Sequence, residues 1–227
     1  MPLELHPMQE SDMRAYENVT WAAFKDDLMA VLYPNGFNQE DIDHGIHWNI
    51  KSWREHPEVI KYMKVIDTDL PEDDSNGKMV GMTRWKFYTK HRTEAELDQE
   101  AEEKKAEPLS PGLNGELIKE FFGEVSRIRR EQMGGQPNVL LDMIATLPQH
   151  QRRGVGAMLL RWGIKEADAL GLPMYLEASP VGRPQYAKNG FEVVADMSFD
   201  GRKWGSDKEL HHVCMLRPAM KSNGSAH

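Results

Sequence analysis

The sequence predicts an α/β fold of the α+β kind: one mixed sheet of about seven strands flanked by helices, with a helical insertion between the third and fourth strands. Three observations predict it. Two β-rich runs, "EVIKYMKVIDT" and "KMVGMTRWKFYT", are joined by the turn-forming "DLPEDDSNG". A run that is apolar on both faces, "NVLLDMIATL", leads through a glycine turn into an amphipathic helix. Two more β-rich runs, "FEVVADMSF" and "HHVCMLRP", close the chain.

Taken in order, "LELHPM" is a short first strand. Ser11 or Asp12 caps the helix that follows, in which Met13, Tyr16, Val19 and Ala23 recur at helical spacing. "YPNGF" breaks the chain, and Asn38 with Asp41 forms a capping pair. Ile42, Ile46, Ile50 and Trp53 then mark a second helix ending before Pro57. The two β-rich runs form an antiparallel hairpin. Between His91 and Glu107 only Leu97 is large and apolar, so that acidic stretch is a solvated helix or a mobile one. Leu117, Phe121, Val125 and Ile128 restore a helical stripe, and "NVLLDMIATL" reads as a central strand. After the glycine turn, Met158, Leu159, Trp162 and Ala169 give the next helix one apolar face. "PMYLEAS" is a strand, and "PVGRPQYAKNG" a short helix or turn ending at Gly190. The expectation is one domain over residues 1–220, with the insertion at about 91–137 and a disordered tail at 221–227.

A net charge of -8 argues against a general nucleic-acid binder. No run approaches the roughly 18–20 apolar residues of a membrane span. The start, "MPLELHPMQESDM", lacks a secretory layout. The lone Cys214 excludes an internal disulfide and fits a reducing compartment, and the apolar alternation of "HHVCML" makes it a buried side chain rather than a catalytic thiol. These features predict a soluble cytoplasmic protein.

The stretch Gln151-Arg152-Arg153-Gly154-Val155-Gly156 carries chemistry. Amides in the first turn of a helix lack partners within it, and the helix dipole adds positive charge there. Glycines at 154 and 156 let phosphates approach those amides, and Arg152 and Arg153 add charge-assisted bonds. Gly156-Ala157-Met158 has neither the lysine nor the hydroxyl of a P-loop. A Rossmann fingerprint does not fit either, because the unit would begin at residue 138, behind a hairpin.

With "LLDMIATLPQH" before it and Tyr186-Ala187-Lys188-Asn189-Gly190-Phe191 after it, this stretch resembles the GCN5-related N-acetyltransferase (GNAT) superfamily. The resemblance implies the GNAT fold, with a mostly antiparallel sheet. It also implies acetyl transfer from acetyl-CoA to an amine by direct attack in a ternary complex, without a metal. The strand before the turn would splay from its neighbour and hold the pantetheine arm through the main chain of Ile144, Ala145 and Thr146. The pyrophosphate would sit on Gln151, Arg152, Arg153, Gly154, Val155, Gly156 and Ala157, and Tyr186 would be the general acid. Where the family often has asparagine and alanine, this chain has Ser179 and Gly182, beside Pro180 and Pro184. Ser179 bonds the cofactor or caps the short helix.

Asp142 is the single carboxylate in "VLLDMIATL". It is either the base that takes the acceptor's proton or a salt-bridged structural aspartate. Strand parity with Ile144 and Thr146 puts it on their face. His44 and His47 lack an evident third ligand for a metal and read as surface or pocket residues. The aromatics around the first two helices, Trp48 among them, are core, with one or two lining the acceptor side. The acceptor, a small-molecule or protein amine, is left open, with no nucleic-acid or membrane partner; the oligomeric state is equally open, a homodimer being one reading. A non-catalytic acyl-CoA sensor, a longer acyl donor and a hydroxyl acceptor are the competing functions.

Overall fold

The computed structural model describes residues 2–26, 28–72, 74–204 and 209–220, so the tail expected at 221–227 lies outside the described residues. Seven strands form one sheet: β1 (Leu3–Pro7), β2 (Ile60–Asp67), β3 (Met79–Tyr88), β4 (Asn138–Thr146), β5 (Met174–Ala178), β6 (Glu192–Asp200) and β7 (Glu209–Arg217), in the spatial order β1-β2-β3-β4-β5-β7-β6. Every neighbouring pair is antiparallel except β4 with β5. The helices are α1 (Met13–Phe24), α2 (Leu28–Leu32), α3 (Gln39–Glu55), α4 (Glu94–Ala106), α5 (Gly115–Met133), α6 (Val155–Leu170) and α7 (Arg183–Ala187). The fold class and the helical insertion between β3 and β4 are as the sequence predicts.

Local chemistry explains most boundaries. Asn38 Oδ1 accepts from the amides of Glu40 and Asp41, and Asp41 Oδ2 accepts from the Asn38 amide, the reciprocal cap expected of that pair. Asp12 does not cap α1. Its Oδ2 accepts from the Gln9 amide at 2.8 Å and its carboxylate holds Lys64, so it serves the 3-10 turn Glu10–Asp12 that precedes α1. The short α2 escapes the sequence reading because five residues show no full period; Val31 and Leu32 bury against Leu117 and Phe121 of α5. The acidic stretch is a helix, α4, solvated on its outside and clipped to α5 by Arg130, which takes both Glu94 and Asp98.

The sheet carries α1, α2, α3 and α5 on one face and α6 and α7 on the other. Met143, Ala145 and Leu147 pack with α1 and α3, while Leu140, Tyr175 and Cys214 pack with α5. Val139, Leu141 and Ile144 pack with α6. Helix α6 lies close because Gly163 faces Trp85: a Cβ there would stand 2.2 Å from the indole ring.

Strand β4 contains a bulge. Arg84 pairs with Met143 and Trp85 with Leu141, so Asp142 has no opposite residue on β3. This corrects the parity expectation. An extra residue in one strand breaks the period of two, and Asp142 contacts cations of the α3/α5 face instead of joining Ile144 on the α6 face.

Candidate active site

The sheet forks where its one parallel pair ends. β4 and β5 pair over three rungs, Val139 with Met174, Leu140 with Tyr175 and Leu141 with Leu176, and go no further. Ile144, Ala145 and Thr146 still pair with Thr83, Met82 and Gly81 on the β3 side, so their strand is held firmly by one edge while the other edge has no strand partner. That is the splay the resemblance implies.

Thr146 leads through the 3-10 turn Pro148–His150 to the glycine turn, and its Oγ1 lies 3.8 Å from where a Cβ on Gly156 would be. Arg152 has φ 64° and Gly154 φ 92°, left-handed values that turn successive amides toward one concavity. Gly154 has open space where a side chain would be. The first helical bond from Gly154 is accepted by its carbonyl from Met158, which leaves the amides of Val155, Gly156 and Ala157 without intrahelical partners. Gln151 and Arg152 are exposed beside them. Arg153 is differently employed: its guanidinium donates to Asp67 at 2.6 Å and contacts His150 Nδ1 at the same distance. Burial favours the neutral form of Asp67, but Arg153 and the Asp69 amide outweigh it and hold the carboxyl below its ordinary range. Arg153 therefore fastens the turn to the end of β2, and the donors left open at the turn are chiefly backbone amides.

Tyr186 is buried on the α6 side with Phe191, Leu176 and Ala178. Burial pushes its phenol up to about 12, and no described residue hydrogen-bonds its hydroxyl. Gly182 accommodates the ring, since a Cβ there would be 2.8 Å from Tyr186 Cε2; this explains glycine where the family often has alanine. Ser179 Oγ accepts from the Gly182 amide at 3.3 Å within the turn that leads to α7, whose N-cap position, Gly182, has no side-chain cap.

Asp142 sits one residue beyond the last rung, with its side chain 8% exposed. Arg84 Nε lies 2.6 Å away, Lys86 Nζ 3.6 Å and Arg129 Nη2 3.7 Å. Burial alone would raise its pKa, but these cations overcome the burial and hold it far below the usual carboxylate range. Glu177, the residue after the last rung on β5, takes a two-pronged bond from Arg129 at 2.7 and 2.8 Å. One guanidinium from the insertion thus spans both strands where they part.

The profile of the acetyltransferase (GNAT) family matches residues 21–191. The chain belongs to this family. An acetyltransferase of Stachybotrys chartarum is 33% identical over 79 residues, covering 34% of each chain. A probable acyltransferase of Ajellomyces capsulatus is 40% identical over 45 residues, or 20% of this chain and 33% of that protein. Each match spans about a third of the relative's length. Among solved structures, a Corynebacterium glutamicum protein described as histone acetyltransferase HPA2 and related acetyltransferase superposes with a TM-score of 0.59 at 17% identity, covering 98% of this chain and 99% of that one. A mosquito protein described as arylalkylamine N-acetyltransferase like 5b gives 0.63 at 12% identity, covering 95% and 99%. At such identities they show the fold.

In this GNAT chain the sequence reading missed Glu17. It lies on the buried side of α1, four residues after Met13, which is the signal that could have found it. Its carboxylate accepts from Asn49 Nδ2 at 2.8 Å; Asn49 Oδ1 in turn accepts from Tyr62 at 2.8 Å and from Arg84 at 2.5 Å. Burial raises the Glu17 pKa to about 7 against the opposing pull of Arg84 and Asn49. Below pH about 4 the side chain is neutral folded or unfolded. As pH rises the unfolded chain ionises first, so stability falls until the folded carboxyl ionises near 7. Glu17→Gln is therefore expected to stabilise the protein by about 2–3 kcal/mol at pH 8 and by almost nothing at pH 4. Denaturant melts at the two pH values check this, and an equal effect at both would contradict it.

On the same face a cleft of about 260 Å³ is lined by His44, His47, Trp48, Lys51, Glu107 and Pro108. His44 and His47 are thus pocket residues, and His44 Nε2 contacts the Pro108 carbonyl at 3.0 Å. Trp48 also stacks on Arg84, whose guanidinium is 5.0 Å from the ring centre. Among the described residues no helix is long and apolar enough to cross a membrane.

Proposed function

We propose that this GNAT protein transfers an acetyl group from acetyl-CoA to an amine by direct attack in a ternary complex. The observation that carries the reading is the alignment of fork and cradle on one strand. The free edge of β4 runs straight into a left-handed glycine turn whose amides are unpaired. A diphosphate fits that turn because Gly154 leaves the space above it open. Val155, Gly156 and Ala157 would bind it through their amides, with Gln151 and Arg152 at its rim. Ile144, Ala145 and Thr146 would hold the amide-bearing arm, and an amide of this edge would stabilise charge developing on the thioester oxygen. Tyr186, a phenol that is protonated at physiological pH and whose pKa burial raises further, would protonate the departing sulfur.

Asp142 is a poor proton acceptor in this scheme, since its cations hold it ionised. Glu17, joined through Asn49 to the Arg84 that contacts Asp142 at the fork and raised in pKa by burial, is the carboxylate we assign, with intervening water, as the acceptor of the amine proton.

Calorimetric titration of acetyl-CoA, with Gly154→Glu as the control, tests the reading. Binding of micromolar order that vanishes in the variant is expected, because glutamate would both strain φ 92° and fill the cradle. Failure of the wild type to bind would end the acetyltransferase reading.

A further inference from the structure

Charge does not balance beneath the fork. Arg84 and Lys86 of β3 and Arg129 of α5 converge on two carboxylates, Asp142 and Glu177, and Lys104 of α4 adds its charge from beyond ion-pair distance. Asp142 is shared three ways, and Glu177 is taken up by the two-pronged bond from Arg129. Lys86 is left with a partial claim on one carboxylate at 3.6 Å. Lys104, exposed overall, has its ammonium 5.0 Å from the Phe122 ring centre and no ion pair among the described residues. The surrounding groups do not make up the difference. Arg92 is matched by Glu100 and Lys51 by Glu107, while burial raises the pKa of Glu17, beside Arg84, and so weakens it as a counter-charge.

Its place is as telling as its sign. Asp142 and Glu177 are the first residues beyond the last rung, and the cluster lies on the face opposite α6. An arm entering the fork from the glycine turn would present its reacting end to this face. Trp48 links the cluster to the adjoining cleft, covering Arg84 and lining the opening. A half-buried cation such as Lys86, short of counter-charge, is costly to keep, and a bound anion that Lys104 can also reach removes that cost.

We infer that Lys86 and Lys104, framed by Arg84 and Arg129, form a subsite for an anionic group of the acceptor. The acceptor is then an amine that also carries a carboxylate or a phosphate, rather than a polyamine or a neutral alkylamine. The inference rests on the acetyltransferase reading above.

The test begins with the acetyl-CoA titration and proceeds to release of the coenzyme A thiol with matched amines: propylamine against β-alanine, ethanolamine against O-phosphoethanolamine, and putrescine as a cationic amine. The acidic member of at least one pair is expected to have a kcat/KM about tenfold or more above its neutral partner, and the pair that responds distinguishes carboxylate from phosphate. Lys86→Met is expected to bring that ratio close to one. Equal rates within both pairs, or putrescine as the fastest substrate, overturn the inference while leaving acetyl transfer intact. Absence of acetyl-CoA binding overturns both. A readout free of turnover is the thermal shift with inorganic phosphate, expected to be larger for wild type than for Lys86→Met. Identical shifts overturn the subsite.

Discussion

Asp142→Asn is expected to lower the melting temperature by about 10 °C, the consequence of breaking a buried ion cluster at a cost of about 3–5 kcal/mol in a domain of this size. The carboxylate is the only one shared by Arg84, Lys86 and Arg129 among the described residues, and its removal leaves three cations facing one another through Glu177 alone. The pH dependence has a definite sign. The folded pKa is depressed, so the stabilisation is complete above the ordinary carboxylate range and is lost as pH falls below about 4. The gap between wild type and variant should therefore narrow in acid. Calorimetric melts at pH 7 and pH 3 measure both effects, and coincident curves at pH 7 would mean that the cations do not depend on Asp142.

Tyr186→Phe is expected to reduce kcat about tenfold or more while acetyl-CoA affinity stays within about twofold. Phenylalanine preserves the packing against Phe191 and the fit against Gly182, and the lost hydroxyl has no hydrogen bond with a described residue. Stability should hold for the same reason. What disappears is a buried, protonated phenol. An unchanged kcat would exclude Tyr186 from proton transfer and leave the sulfur to be protonated by water.

The strands and long helices were legible because burial in a sheet or along a helix stripe repeats on a fixed period. "NVLLDMIATL" announced a central strand, and Asn38 with Asp41 announced the start of α3. The glycine turn was legible for a different reason, since few backbone paths other than a tight left-handed one use that spacing of Gly154 and Gly156. The bulge at Asp142 was not legible. A bulge is decided by register with β3, and register belongs to a pair of strands rather than to one sequence segment. The same limit applies to Arg153, whose pairing with Asp67 joins residues 86 apart, and to Arg129, which meets Glu177 from 48 residues away. Glu17 was half legible: its place on the α1 stripe is periodic, but its raised pKa comes from burial beneath other elements, against the opposing pull of Arg84 and Asn49. Charge patterns along the chain describe composition, whereas the excess beneath the fork arises only when β3, β4, β5, α4 and α5 are brought together.

Three rungs between β4 and β5 have a mechanical meaning as well. The sheet is in effect two blades, β1 to β4 and β5 with β7 and β6, joined by a short seam and pinned at its open end by the Arg129 guanidinium. A load that spreads the blades falls on those rungs and that pin, while the long antiparallel ladders to either side carry little of it. A ligand lying in the opening would act as a splint, lengthening the seam without becoming part of the chain. The stiffness of the molecule would then be set by its occupancy, and amides on both sides of the seam would report that change through slower hydrogen exchange.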